Sequence, residues 1–172
     1  DYYGVTIEDV YSRKLLALHM SKSLGAQENV KALKKAFQAR AGQSLAKCIL
    51  HSDRGSQYIS HAHKDLLKSK EMKMSMCKMP QENAYVERIQ GTIKNQYLSE
   101  FELTESNMSK VALRVMRLYN DEKPHRGLKM KTPTAFEKYV EKIPKNQRPN
   151  EVIYKGYSEL STKKELLTKR KK

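Results

Sequence analysis

Two carboxylates stand out by what surrounds them. Asp53 closes the run Cys48-Ile49-Leu50-His51-Ser52-Asp53, and Arg54-Gly55-Ser56 follows at once. A short buried strand fits Cys48 to Leu50, with Gly55 at the sharp exit. Asp53 then stands at the carboxyl end of a strand, where open α/β sheets build their sites. Glu87 lies in the stretch Glu82-Asn83-Ala84-Tyr85-Val86-Glu87-Arg88-Ile89-Gln90-Gly91-Thr92-Ile93-Lys94-Asn95. Val86, Ile89, Ile93 and Tyr97 recur at helical spacing and predict a helix with one apolar stripe. Glu87, Gly91 and Lys94 fall on another face of it, one turn apart. A strand-end Asp facing a helix-borne Glu suits divalent cations and phosphoryl chemistry. Each residue also has a plainer reading: Asp53 as an Asx-turn residue, Glu87 as a solvated helix side chain, Lys94 as a surface lysine.

The elements that must position these residues follow from periodicity. Tyr3, Val5 and Ile7 alternate with Gly4, Thr6 and Glu8, which predicts a strand buried on one face. Residues 9–13 read as a turn and Lys14 to Met20 as the returning strand, so Asp9 is read as a turn residue and not a metal ligand. A helix is expected from Ala26 to Arg40, with Val30, Leu33 and Phe37 inside and Gly42 as its stop. Another runs from Ser60, the N-cap, to Ser69, with Ala62, Leu66 and Leu67 facing in. Lys73 to Met76 is a short edge strand, and Met72, Met74, Met76 and Met79 read as core filler. From Thr104 a long helix is expected on Met108, Val111, Ala112, Val115, Leu118 and Tyr119. Thr132-Pro133 starts a last one burying Phe136, Tyr139 and Val140. The order predicts an α/β domain with a mixed sheet.

Composition narrows the partners. Lys and Arg number 34 against 19 Asp and Glu, a net charge of +15 that points to a polyanion, nucleic acid before membrane. No apolar run is long enough for a membrane span, and the first residues carry no signal-peptide pattern. Cys48 and Cys77 form no Cys-x-x-Cys pair, and with the five histidines they show no zinc spacing. Cys48 reads as a buried strand residue. From Ile143 onward apolar residues thin out, with 9 Lys/Arg against 3 Glu.

The segments HSDRGSQYIS and ENAYVERIQGTIKNQYL resemble the second and third parts of the Asp-Asp-Glu signature of insertion-sequence transposases, in the group whose catalytic domain is related to retroviral integrase. VYSRKLLALHMSKSL and YNDEKPHRGLKMKTPTAFEKY agree, so the resemblance spans residues 2 to 141. Glu87 follows Asp53 by 34 positions, about two fewer than is usual in the group. The shortfall falls around Lys78-Met79-Pro80-Gln81, a loop that absorbs deletions.

The resemblance implies a ribonuclease-H-like fold, a mixed sheet flanked by helices, with a catalytic core over residues 1–141 and a basic tail over 142–172. It implies a first catalytic Asp on a central strand that precedes Tyr2. The expectation is therefore a core truncated at its amino terminus, lacking that strand and inactive by itself. The implied activity is transposition: water frees a 3′-hydroxyl at the element's end, and that hydroxyl attacks a target phosphodiester. Two Mg²⁺ (or Mn²⁺) ions roughly 4 Å apart serve such chemistry, with Asp53 and Glu87 each holding one. Arg54, Asn83 and Lys94 would meet DNA, Lys94 through a phosphate. The implied partners are transposon-end and target DNA and further copies of the chain assembled on it, without a membrane, in the bacterial cytosol or nucleoid. The rival expectation is a nucleic-acid-binding remnant without catalysis.

Overall fold

The alternating apolar residues near the start form the hairpin their period demands. In the computed structural model, which describes residues 1–77 and 84–149, β1 (Tyr3–Asp9) pairs antiparallel with β2 (Lys14–Ser21). The register skips Leu16, since Ile7 opposes Ala17 and Glu8 opposes Leu15. This bulge changes the parity of β2 and turns Leu15 to the same side as Leu18 and Met20. Those three join Ile89, Ile93, Val111, Ala112, Val115 and Tyr119 in the main apolar cluster. Ala17 is fully buried on the other side, where α1 (Ala26–Ala39) packs on β2 with Ala32, Leu33 and Ala36. Small side chains there let helix and strand approach closely. Gly42 follows α1 at φ +81°, a conformation that costs glycine nothing, and the chain turns back through it.

β3 (Ile49–Ser52) and β4 (Lys73–Met76) form a parallel pair, Ile49 opposite Lys73 and Ser52 opposite Met76, connected through α2 (His61–Lys68). Ser60 caps α2 by accepting from the His63 N–H. The two strand pairs share no ladder, and among the described residues no strand lies between them. α3 (Ala84–Thr92) continues through a wide π turn over Ile93–Tyr97 and packs on the cluster. α4 (Met108–Arg117) lies along β2 and ends in a second wide turn, Leu118–Glu122. α5 (Pro133–Glu141) starts at Thr132, whose hydroxyl accepts from the Ala135 N–H.

Several expected burials differ. Cys48 precedes β3 and is exposed, whereas Cys77, just past β4, is buried. The strand begins one residue later than its apolar run, because Lys47 at φ +67° kinks the chain into it. His63 takes the inward position on α2 and Ala62 is exposed. Met74 is exposed on β4, and Tyr139 on α5 is 48% exposed, with Lys131 over its ring. The basic tail beyond residue 149, like Met79, lies outside the described residues.

Polar side chains join these layers. Asn120 donates to the Leu15 carbonyl at 2.9 Å and accepts from the Leu15 N–H at 2.8 Å, so one amide satisfies the backbone beside the bulge. Arg40, at the end of α1, pairs with Asp9 at 2.7 Å and with Glu137 of α5. Asp9 also accepts from the N–H groups of Tyr11 and Ser12, which gives the expected turn residue the form of an Asx turn. Burial pushes the Glu137 carboxyl up, but hydrogen bonds from Arg40, Lys14 and Ser12 outweigh it and hold the group below its ordinary 4.5. A depressed carboxylate stabilises the fold above its unfolded value and loses that contribution as pH falls through the folded one. Arg40→Ala, which takes the shared guanidinium from both carboxylates and leaves Glu137 with Lys14 and Ser12, should therefore cost about 2–3 kcal/mol in urea unfolding at pH 7. Its deficit against the unaltered chain should narrow when the titration is repeated well below pH 4.5.

Candidate functional site

Asp53 leaves the parallel strand pair at its C-terminal end, directly after Ser52. Its Oδ1 accepts from the Gly55 N–H at 2.9 Å, so the Asx turn that was its plainer reading is realised. The turn fixes the direction of a carboxylate that remains exposed, and a structural and a ligating role are compatible. Gly55 itself has φ −58°, open to any residue; a side chain there would meet the Gln57 amide. Arg54 donates through Nε to the Cys77 carbonyl at 3.0 Å. It thereby ties the exits of β3 and β4 together, a role the sequence did not disclose.

Glu87 stands exposed in the first turn of α3. Ile89 and Ile93, 3% and 2% exposed, hold the helix down, and Val86 and Tyr97 are half-buried beside them, so the apolar stripe is as expected. Gly91 and Lys94 follow on the Glu87 side. A Cβ added at Gly91 meets nothing within 4 Å, so packing does not require glycine in this helix. Lys94 is exposed and lines a groove of about 570 Å³ between α3 with its π turn and the β1 residues Tyr3, Gly4 and Thr6. Asn83 lies outside the described residues.

The carboxylates of Asp53 and Glu87 are thus carried on a strand exit and a helix turn. Among the described residues no group of three His, Cys, Asp or Glu side chains gathers as a metal site. The two present are exposed hard oxygen donors, the chemistry Mg²⁺ prefers, with solvent-facing room for further oxygen ligands. Each carboxylate fits such an ion singly, as one hard oxygen donor.

A second cleft went unread in the sequence. It holds about 200 Å³ and is walled by the β1–β2 turn, α3 and the loop after α4. Glu8 lies in it with Arg13, Arg88, Lys123, His125 and Arg126. Arg13 sits 4.3 Å over the Tyr85 ring. Burial raises the Glu8 carboxyl to about 7, with Arg13 and Arg88 opposing and Asp9 adding to the rise. Spacing along the chain could not bring these residues together, for they come from three distant segments.

Two family models, each described as an integrase core domain, match the chain, one over residues 1–80 and the other over residues 69–133. The transposase for insertion sequence element IS904 of Lactococcus lactis subsp. lactis (strain IL1403) is 30% identical over 144 residues, covering 80% of this chain and 55% of that protein. The insertion element IS600 uncharacterized 31 kDa protein of Shigella sonnei is 31% identical over 142 residues, covering 80% of this chain and 52% of that protein. The chain spans about half the length of these curated relatives. The HTLV-2 integrase catalytic core domain, solved in complex with magnesium, superposes with a TM-score of 0.58 at 18% identity, covering 78% of this chain and 93% of that one. The BIV integrase catalytic core domain gives 0.58 at 17% identity, covering 81% and 94%. The fold is therefore the ribonuclease-H-like one of retroviral integrase cores, and the chain belongs to the integrase-core family, whose two models together span residues 1–133.

Proposed function

We propose that this core carries out DNA strand cleavage and strand transfer in transposition, with Asp53 and Glu87 as metal-holding catalytic carboxylates. The observation that carries the reading is an exposed Asp at the C-terminal end of a parallel strand pair, in an integrase-core chain whose α3 presents an exposed Glu. Asp53, aimed by its bond to the Gly55 N–H, and Glu87, anchored through Ile89 and Ile93, would each hold a divalent cation. Mg²⁺ or Mn²⁺, when bound, supplies Lewis-acid stabilisation of the attacking and leaving oxygens of a phosphodiester. Lys94 neutralises a backbone phosphate, and Gly91 between them leaves room for the DNA to approach the helix. Arg54 presents its charge to DNA at the same strand exit, and Asn83, from the segment before α3, contacts it too. DNA ends and target are the partners, with copies of the chain assembled on them in the bacterial cytosol or nucleoid.

Asp53→Asn or Glu87→Gln in the full-length transposase should lower strand transfer on the order of 100-fold or more while leaving DNA binding largely intact. Full joining activity by either variant in a Mg²⁺ assay overturns the assignment. Lys94→Ala should reduce the slope of log affinity against log salt by about 1, irrespective of DNA sequence. Gly91→Ala separates function from folding. It should stabilise the helix by about 0.5–1 kcal/mol and yet weaken strand transfer. Improved stability with unchanged transfer would mean that no DNA approaches this face.

A further inference from the structure

α3 presents two sides. Glu87, Gly91 and Lys94 occupy one, and Tyr85, Arg88, Ile89 and Thr92 turn the other way, into the 200 Å³ cleft. We propose that this cleft is a second phosphate site, which takes a DNA backbone phosphate on the side of α3 away from Glu87 and Lys94. The inference rests on the DNA-processing reading above for its ligand, and on the cleft alone for its location.

The cationic side chains converge from three elements. Arg13 comes from the β1–β2 turn, Arg88 from α3, and Lys123 and Arg126 from the loop after α4. Guanidinium groups suit phosphate because their N–H donors match its oxygens two at a time. Two of these groups are already oriented. Arg13 is stacked on Tyr85, and Lys123 donates to Gln96 at 3.2 Å. Orientation before binding lowers the entropy lost on it.

The loop wall is rigid for the same purpose. Leu128, 2% exposed, plugs it into the core. The N–H groups of Leu128 and Met130 both donate to the His125 carbonyl, and the His125 N–H donates to the Lys131 carbonyl. Lys129 and Met130 take φ +52° and +61°, a left-handed pair that closes the turn and that few side chains adopt willingly. His125 is packed against Tyr119, and its Nε2 is buried without a hydrogen-bond partner among the described residues. Burial, then Lys123 and Arg13, lower its pKa, so the ring is neutral near pH 7 and one of its nitrogens is a donor.

Glu8 is the group that sets the cleft's sign. It faces Arg13 from the turn, Arg88 from α3 and Tyr119 from the extension of α4, with Asp9 beside it on β1 and Lys123, His125 and Arg126 across the cleft. A carboxyl raised to about 7 is largely protonated at pH 6 and largely charged at pH 8. In the first case a phosphate meets the cationic side chains without competition from Glu8, and in the second it meets a carboxylate there. Affinity should therefore fall as pH rises through 7.

The test is duplex-DNA binding by the 172-residue chain, followed by fluorescence anisotropy across a salt series. The unaltered chain is compared with Lys94→Ala, the double variant Lys123→Ala/Arg126→Ala, and Glu8→Gln, each checked for folding by circular dichroism. The double variant should weaken binding and lower the log–log salt slope by about 1–2, in addition to the effect of Lys94→Ala. Glu8→Gln should strengthen binding several-fold at pH 8, little at pH 6, and flatten the pH dependence between them. Unchanged slope in the double variant, with Lys94→Ala still reducing it, overturns the second site and leaves the DNA-processing reading intact. No salt-dependent binding by the unaltered chain overturns both. In a parallel titration with inorganic phosphate, the His125 imidazole resonances are followed by NMR. A response to phosphate but none to duplex DNA shows that the cleft serves a free anion and overturns the DNA assignment.

Discussion

The Arg40 guanidinium, buried where α1 ends, is the interaction on which the arrangement depends. It reaches Asp9 in the hairpin turn and Glu137 on α5, and Glu137 in turn accepts from Ser12 and from Lys14 at 2.6 Å. Two carboxylates and one ammonium thus surround one cation, and three chain segments converge on it. A charge removed from water is tolerated only with partners whose hydrogen bonds replace its hydration. The geometry is therefore nearly all-or-none, and it fixes the hairpin turn from which Glu8 and Arg13 enter their cleft.

From that corner the core is built by shape. The bulge at Leu16 sends Leu15, Leu18 and Met20 into the cluster beneath α3 and α4, while Ala17 leaves room for α1. The Asn120 amide then occupies the place of a neighbouring strand beside Leu15. Its position at the end of α4 ties the wide turn over Leu118–Glu122 to β2, and so sets where the following loop, with Lys123, His125 and Arg126, can reach. Apolar packing holds α3 in depth, but the polar ties decide how its outward residues sit relative to the hairpin.

The site region follows another economy. Asp53 is placed by local bonds: the β3–β4 ladder, its own turn to Gly55, and Arg54 reaching Cys77. Glu87 and Lys94 are placed by the buried stripe of α3 and its π turn. Neither acidic group spends its carboxylate on an ion pair within the described residues, in contrast to Asp9, Glu28 and Glu137, each of which is paired with a cation.

The strands, the helices, their caps at Ser60 and Thr132, and the placement of Asp53 and Glu87 were legible in the sequence. All of these depend on periodicity or on neighbours within a turn or two. The motifs around those two residues also carried the family resemblance, residue by residue within each segment. What the tertiary structure decided depends on residues far apart. Asp9 meets Arg40 across 31 positions and Leu15 meets Asn120 across 105. Arg13 and Arg88 share a cleft with Arg126 only because the hairpin, α3 and the loop fold against one core. The exposure of Cys48 and the burial of Cys77 likewise turn on where each backbone joins its ladder. Local sequence sets which conformations are cheap; long-range pairing of charges and amides chooses among the surfaces those elements can present.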